Sequence, residues 1–107
     1  MSKYMIKASY STEGIKGVMA KGGTARADAI GKLVAGMGGS LESCYFAFGS
    51  HDIYIISDAP NHETMAAVAG TVSGTGAVSG YETVVLLTPE QLDAAAGMTV
   101  EYTPPGG

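Results

Sequence analysis

Residues able to do chemistry are sparse in this chain, and they concentrate in "CYFAFGSHDIY", residues 44 to 54. There His51 adjoins Asp52, with Cys44, Tyr45 and Tyr54 on either side. An imidazole beside a carboxylate can serve as a general base, the acid fixing the tautomer and raising the basicity. Adjacent residues entering a strand point to opposite sides, however, and an aspartate at a turn readily bonds nearby backbone. Turn chemistry is the reading this pair favours, with a site role as the alternative. A metal site would have to draw on His51, His62, Cys44 and singly scattered acids. No H-E-x-x-H, H-x-x-E-H or paired-cysteine spacing is present, so no metal is expected. Cys44 has no histidine in a paired position and reads as a packed core thiol. "GTGAVSG", residues 74 to 80, is glycine-rich like a phosphate loop, but it follows a helix and leads into a strand, the reverse of the required order.

Polar residues placed among apolar strand positions are the better lead. Lys7, Tyr10, Tyr45, Tyr54, Tyr81 and Glu82 could line a cavity, since ligand pockets are mostly apolar with a few convergent polar groups. Alternatively, the tyrosines span a buried interface and leave their hydroxyls at its wet rim. The candidate ligand-binding residues are Lys7, Tyr10, Tyr45, His51 and Tyr54, with the first three expected on central or near-central strands. No catalytic residue is assignable and no cofactor is expected.

The elements that must position these residues are legible from periodicity. "YMIKASY", residues 4 to 10, alternates as a first strand, with Tyr4, Ile6, Ala8 and Tyr10 on one side. Ser11 or Thr12 caps a helix whose apolar residues Ile15, Val18, Met19, Ile30, Leu33, Val34 and Met37 recur at helical steps. Gly22-Gly23 predicts a kink or break, with Thr24 capping the second half and Gly38-Gly39 closing it. Residues 40 to 49 and 52 to 58 read as a hairpin with a two-residue link. Pro60 and Asn61 open a further helix that is expected to fade in "GTVSGTG", and residues 81 to 88 form a fourth strand. In "LTPEQL", Thr88, Pro89 and Gln91 spell a capping box with proline at the first helical position, ahead of a helix through Ala96.

The order is β-α-β-β-α-β, an α+β, ferredoxin-like arrangement with a four-stranded antiparallel sheet and a short C-terminal helix. Residues 1–96 form the domain and 97–107 a tail. Both faces of the sheet read as apolar or aromatic, while two helices cover only one. The uncovered face calls for a partner, most simply a second copy, so a homo-oligomer is expected.

Composition bounds the rest. The chain has 107 residues, 46% hydrophobic and 15% charged, with 16 glycines, so its surface is poor in charge and its side chains small. A net charge of −4 with dispersed basic residues excludes a nucleic-acid footprint. No apolar run reaches the roughly 20 residues of a membrane span, and "MSKYMIKASY" carries no signal-peptide pattern, which predicts a cytoplasmic protein.

"YMIKASYSTEGIKGVMAKGGTAR", "GSLESCYFAFGSHDIYII" and "SGTGAVSGYETVVLLTPEQLD" together resemble the GYD domain family over roughly residues 3 to 95. The Gly-x-Tyr-Asp stretch that names the family stands here as Gly49-Ser50-His51-Asp52, with histidine for tyrosine. The resemblance implies a ferredoxin-like fold related to dimeric α+β barrels and supplies no catalytic residues. Relatives of that architecture include small monooxygenases, isomerases, haem enzymes and plain ligand binders. What the resemblance and the composition imply together is a homo-oligomeric binder of a small apolar or aromatic molecule, or else an assembly protein.

Overall fold

A computed structural model describes residues 1–107. Strict alternation at the start becomes β1, Ser2–Tyr10, which buries Tyr4, Ile6 and Ala8 on one face. Ser11 caps α1, Thr12–Lys21, its hydroxyl accepting from the Gly14 N–H at 3.1 Å. Glu13 sits in the first turn, where the helix dipole favours an acid. α2, Gly23–Gly36, follows at once. The expected break is therefore real, but Thr24 does not make it. Gly22 does, at φ 91° and ψ 162°, a conformation that glycine alone adopts freely, while its N–H still closes α1 on Val18. Thr24 lies inside α2, whose start has no side-chain cap.

β2, Ser40–Phe46, and β3, Ile53–Ala59, pair antiparallel. Their link is longer than two residues, because the strands part after Phe46 and rejoin at Ile53. Ala47 N–H still donates to Asp52 O at 2.9 Å, but Asp52 N–H goes to Ala8 O on β1, also at 2.9 Å. Asp52 is thus tied to the central strand and cannot continue a tight two-residue turn.

α3, His62–Gly74, begins on Asn61, whose side chain accepts from Thr64 N–H at 2.9 Å. It runs on through the stretch where fading was expected. Met65, Val68 and Val72 face the sheet at three- and four-residue steps, and their burial outweighs the poor propensity of the glycines. β4, Val78–Leu86, starts earlier than expected, since pairing with β1 continues past a register shift at Ser9/Tyr10 to join Tyr10 with Val78. α4, Pro89–Ala96, has the full capping box: Gln91 N–H to Thr88 Oγ1 at 3.1 Å and Thr88 N–H to Gln91 Oε1 at 2.8 Å.

The strand order β2-β3-β1-β4, antiparallel throughout, is the ferredoxin-like arrangement. β1 and β3 are central and β2 is an edge, so Tyr45 lies on an edge strand rather than the near-central one expected. Every residue of α4 and of the segment after it is exposed. This arm stands clear of the body and stretches the molecule to 56 × 32 × 23 Å, with a radius of gyration of 16.9 Å. A compact chain of this length has about 13 Å.

Thr88→Ala is expected to weaken α4 by about 1 kcal/mol through loss of the cap bond. Amide exchange should speed up across residues 90–96 while the global unfolding midpoint stays put, because the helix braces nothing in its own chain. A midpoint that falls with the cap would mean that α4 is docked against other protein surface in solution.

Candidate functional site

The helix-facing side of the sheet is laid in rungs. Phe46, Ile53, Ala8 and Tyr81 lie across from one another, then Cys44, Ile55, Ile6 and Thr83, then Leu41, Ser57, Tyr4 and Val85. α2 packs over β2 and α3 over β4, so the helices roof the two edges of the sheet. The middle is covered only by side chains reaching inward, and the floor there includes the small residues Ala8, Ser57 and Ala59. The gap is not filled. It leaves a cavity of about 120 Å³ whose lining is 16 hydrophobic residues out of 19. The cavity opens to solvent along α2, where Arg26, Leu33 and Met37 are exposed, and an apolar space of this size takes up benzene-sized guests.

Two hydroxyl groups in this lining are buried without a close hydrogen bond. Ser57 Oγ, in a residue 1% exposed, has no partner, and Tyr81 OH has only the Thr83 side chain beside it. Each such group costs roughly 1–3 kcal/mol for as long as it stays unsatisfied. Burial pushes the Tyr81 phenol above its ordinary range, opposed in part by a hydrogen bond with the Thr83 side chain. It does the same to Tyr10, where the nearby Arg26 guanidinium partly opposes it. Both phenols therefore stay neutral near pH 7 and are able to donate. Burial also pushes the Cys44 thiol up, which leaves little thiolate for nucleophilic work.

Of the polar strand residues singled out in the sequence, Tyr10 and Tyr81 line this cavity, and of the five candidate ligand-binding residues Tyr10 alone does. Lys7, Tyr45 and Tyr54 lie on the opposite, uncovered face, where they form one rung, Tyr45–Tyr54–Lys7–Glu82. Lys7 Nζ is 3.2 Å from Glu82 Oε2. His51 meets this rung through Tyr54: the rings pack edge-on at 5.8 Å, with Nδ1 3.5 Å from the phenol oxygen. Asp52 goes elsewhere, its Oδ2 accepting from Tyr10 N–H at 2.8 Å. His51 and Asp52 thus serve different partners, and Asp52 completes the backbone of β1 beside its register shift.

Ser57 and Arg26 escaped the sequence reading, although each left a signal. Ser57 occupies the buried phase of Ile53, Ile55, Ser57 and Ala59, where a hydroxyl is out of place. Arg26 heads the series Arg26, Ile30, Leu33 and Met37, at the spacing of the apolar stripe of α2. A pair formed by Tyr4 OH and His62 Nδ1, 2.6 Å apart, had no sequence signal, because it joins a buried strand tyrosine to an exposed helix start. No three His, Cys, Asp or Glu side chains gather to hold a metal ion, and no helix is long and apolar enough to cross a membrane.

The hairpin that carries Gly49 and Asp52 belongs to a larger pattern, because a family model described as "GYD domain" matches residues 4–96. The chain belongs to the GYD domain family. In this GYD domain the acid of the naming stretch has a backbone duty, holding Tyr10 N–H, while His51 in the tyrosine's place makes an aromatic edge contact. Two solved structures share the GYD chain's architecture. One, described as "crystal structure of FFRP-DM1", has a TM-score of 0.54 at 12% identity, covering 81% of this chain and 100% of that one. The other, the hypothetical protein PHS023 from Pyrococcus horikoshii, has a TM-score of 0.52 at 11% identity, covering 82% and 92%. At such identities the likeness speaks for the fold alone. No curated protein sequence matches the GYD chain.

Proposed function

We propose that this GYD-domain protein is a homo-oligomeric binder of a small apolar or aromatic molecule, built on the dimeric α+β barrel plan. The observation that carries the reading is the cavity between helices and sheet, apolar except for a few polar groups, among them the unpartnered Ser57 Oγ and the poorly satisfied Tyr81 OH. A filled core would have no use for them, whereas a guest with one hydrogen-bonding group satisfies them and fills the void. The uncovered sheet face, with Met5, Ile56, Val84 and Leu86 side by side, supplies the surface for a second copy. A second reading, assembly without a ligand, is favoured by the projecting arm, whose Leu92, Met98, Val100 and Tyr102 are all strongly exposed.

Thermal unfolding of the full chain with toluene, phenol and indole, alongside native mass spectrometry, tests the binding. A rise in midpoint, larger for phenol than for toluene, is the expected outcome. No shift with any of the three would leave the assembly reading alone. Ser57→Ala should meanwhile stabilise the ligand-free protein by about 1 kcal/mol, because it removes an unsatisfied buried hydroxyl. A loss of about that size in urea unfolding would mean that water already satisfies Ser57 and the cavity is wet.

A further inference from the structure

Resting on the cavity reading above, we propose that the guest is a small monocarboxylate with an aromatic or branched aliphatic body. The body fills the cavity, and the carboxylate is held by Arg26 with hydrogen bonds donated by Tyr10 and Tyr81.

Arg26 is the one charged residue of the cavity lining. Like Lys21 and Lys32 it forms no ion pair, so its charge is free for a guest, whereas Lys3, Lys7 and Lys16 each have a carboxylate within 3.9 Å. It lines the cavity from an exposed position in the apolar stripe of α2, close enough for its charge to act on the Tyr10 phenol. A planar guanidinium beside a water-poor space is suited to a carboxylate, which it grips with two parallel bonds.

The two phenols come from neighbouring strands at the same end. Tyr81 lies opposite Ala8, and Tyr10 is the next residue along that face of β1. Both are neutral donors, and the buried hydroxyl of Tyr81 has no closer partner than the Thr83 side chain.

The same lining excludes other classes. No carboxylate faces the cavity to accept an ammonium group, so amino acids and amines are poorly served. One cation does not balance a dianion, and about 120 Å³ is too small for a phosphorylated or long-chain guest. A compact body with a single negative charge is what remains.

Isothermal titration of the full chain with phenylacetate and with phenylacetamide, its neutral counterpart, tests the assignment, with toluene as a purely apolar control. The wild type should bind phenylacetate at least about tenfold tighter than the amide. Arg26→Gln, at an exposed position that the fold does not depend on, should abolish that preference and leave amide binding within about twofold. Tyr81→Phe, its fold checked by circular dichroism, should weaken phenylacetate more than toluene. Equal affinity of the wild type for acid and amide, or equal loss of both in Arg26→Gln, overturns the carboxylate assignment while toluene binding keeps the cavity reading. Failure of all three compounds to bind overturns both.

Discussion

Gly14→Ala should destabilise the protein by about 3 kcal/mol, even though alanine is the better helix former. The N-terminus of α1 is pressed against the loop between α3 and β4. Ser11 N–H donates to Ala77 O at 2.9 Å, and Ser11 Oγ donates to Gly76 O at 2.6 Å. A methyl group on Gly14 would overlap the Ala77 carbonyl oxygen and lie 2.9 Å from its carbon. Backbone on both sides must give way, and the two Ser11 bonds go with it. Gly17→Ala, one turn later in the same helix, meets nothing within 4 Å. It should gain the propensity of up to about 1 kcal/mol undiminished. Urea unfolding of the two variants separates steric contact from helix propensity. Equal midpoints would show that α1 does not hold this close contact in solution.

For the homo-oligomer proposed above, Ile56→Glu should leave only monomers. Ile56 lies opposite Met5 on the uncovered face, with Val84 on the far side of Met5 in the same rung. Within one chain it is only partly buried, so a single folded copy tolerates a carboxylate there at modest cost. Against a partner's sheet the same charge would be enclosed without a counter-ion, because Lys3 and Lys7 are already engaged by Asp58, Glu42 and Glu82. Stranding a charge in that way costs about 3 kcal/mol or more, a weakening of the dissociation constant by about a hundredfold. Sedimentation velocity across micromolar concentrations reads the result directly. A variant that assembles like the parent would remove this face from the interface and leave the exposed arm as the contact to examine.

What could be read in advance followed from local rules. Period-two alternation put Tyr4, Ile6 and Ala8 on one side of the first strand, because a strand leaves a side chain no third choice. The capping box at Thr88 and Gln91 was equally secure, since both partners lie within four residues. Errors arose where a distant element decided the outcome. The link after β2 lengthened because Asp52 is claimed by β1, and α3 outran its glycines because Val68 and Val72 find the sheet. The cavity was hardest to foresee. It depends on how far apart α2 and α3 settle over the sheet, a distance that no single segment encodes. Hence Lys7, Tyr45 and Tyr54, conspicuous polar residues in apolar strands, turned out to share the open face, while the less conspicuous Ser57 and Arg26 line the space between the layers.

A void inside a folded chain is also a volume that unfolding recovers. About 120 Å³ per molecule corresponds to about 70 mL/mol, well within the range by which proteins shrink when they unfold. Whatever part of that space is closed to water makes the empty state easier to unfold by hydrostatic pressure than the filled one. A molecule seated between the helices removes most of the contraction. Occupancy therefore sets how compressible the protein is, and the pressure at which it unfolds reports whether the space is taken.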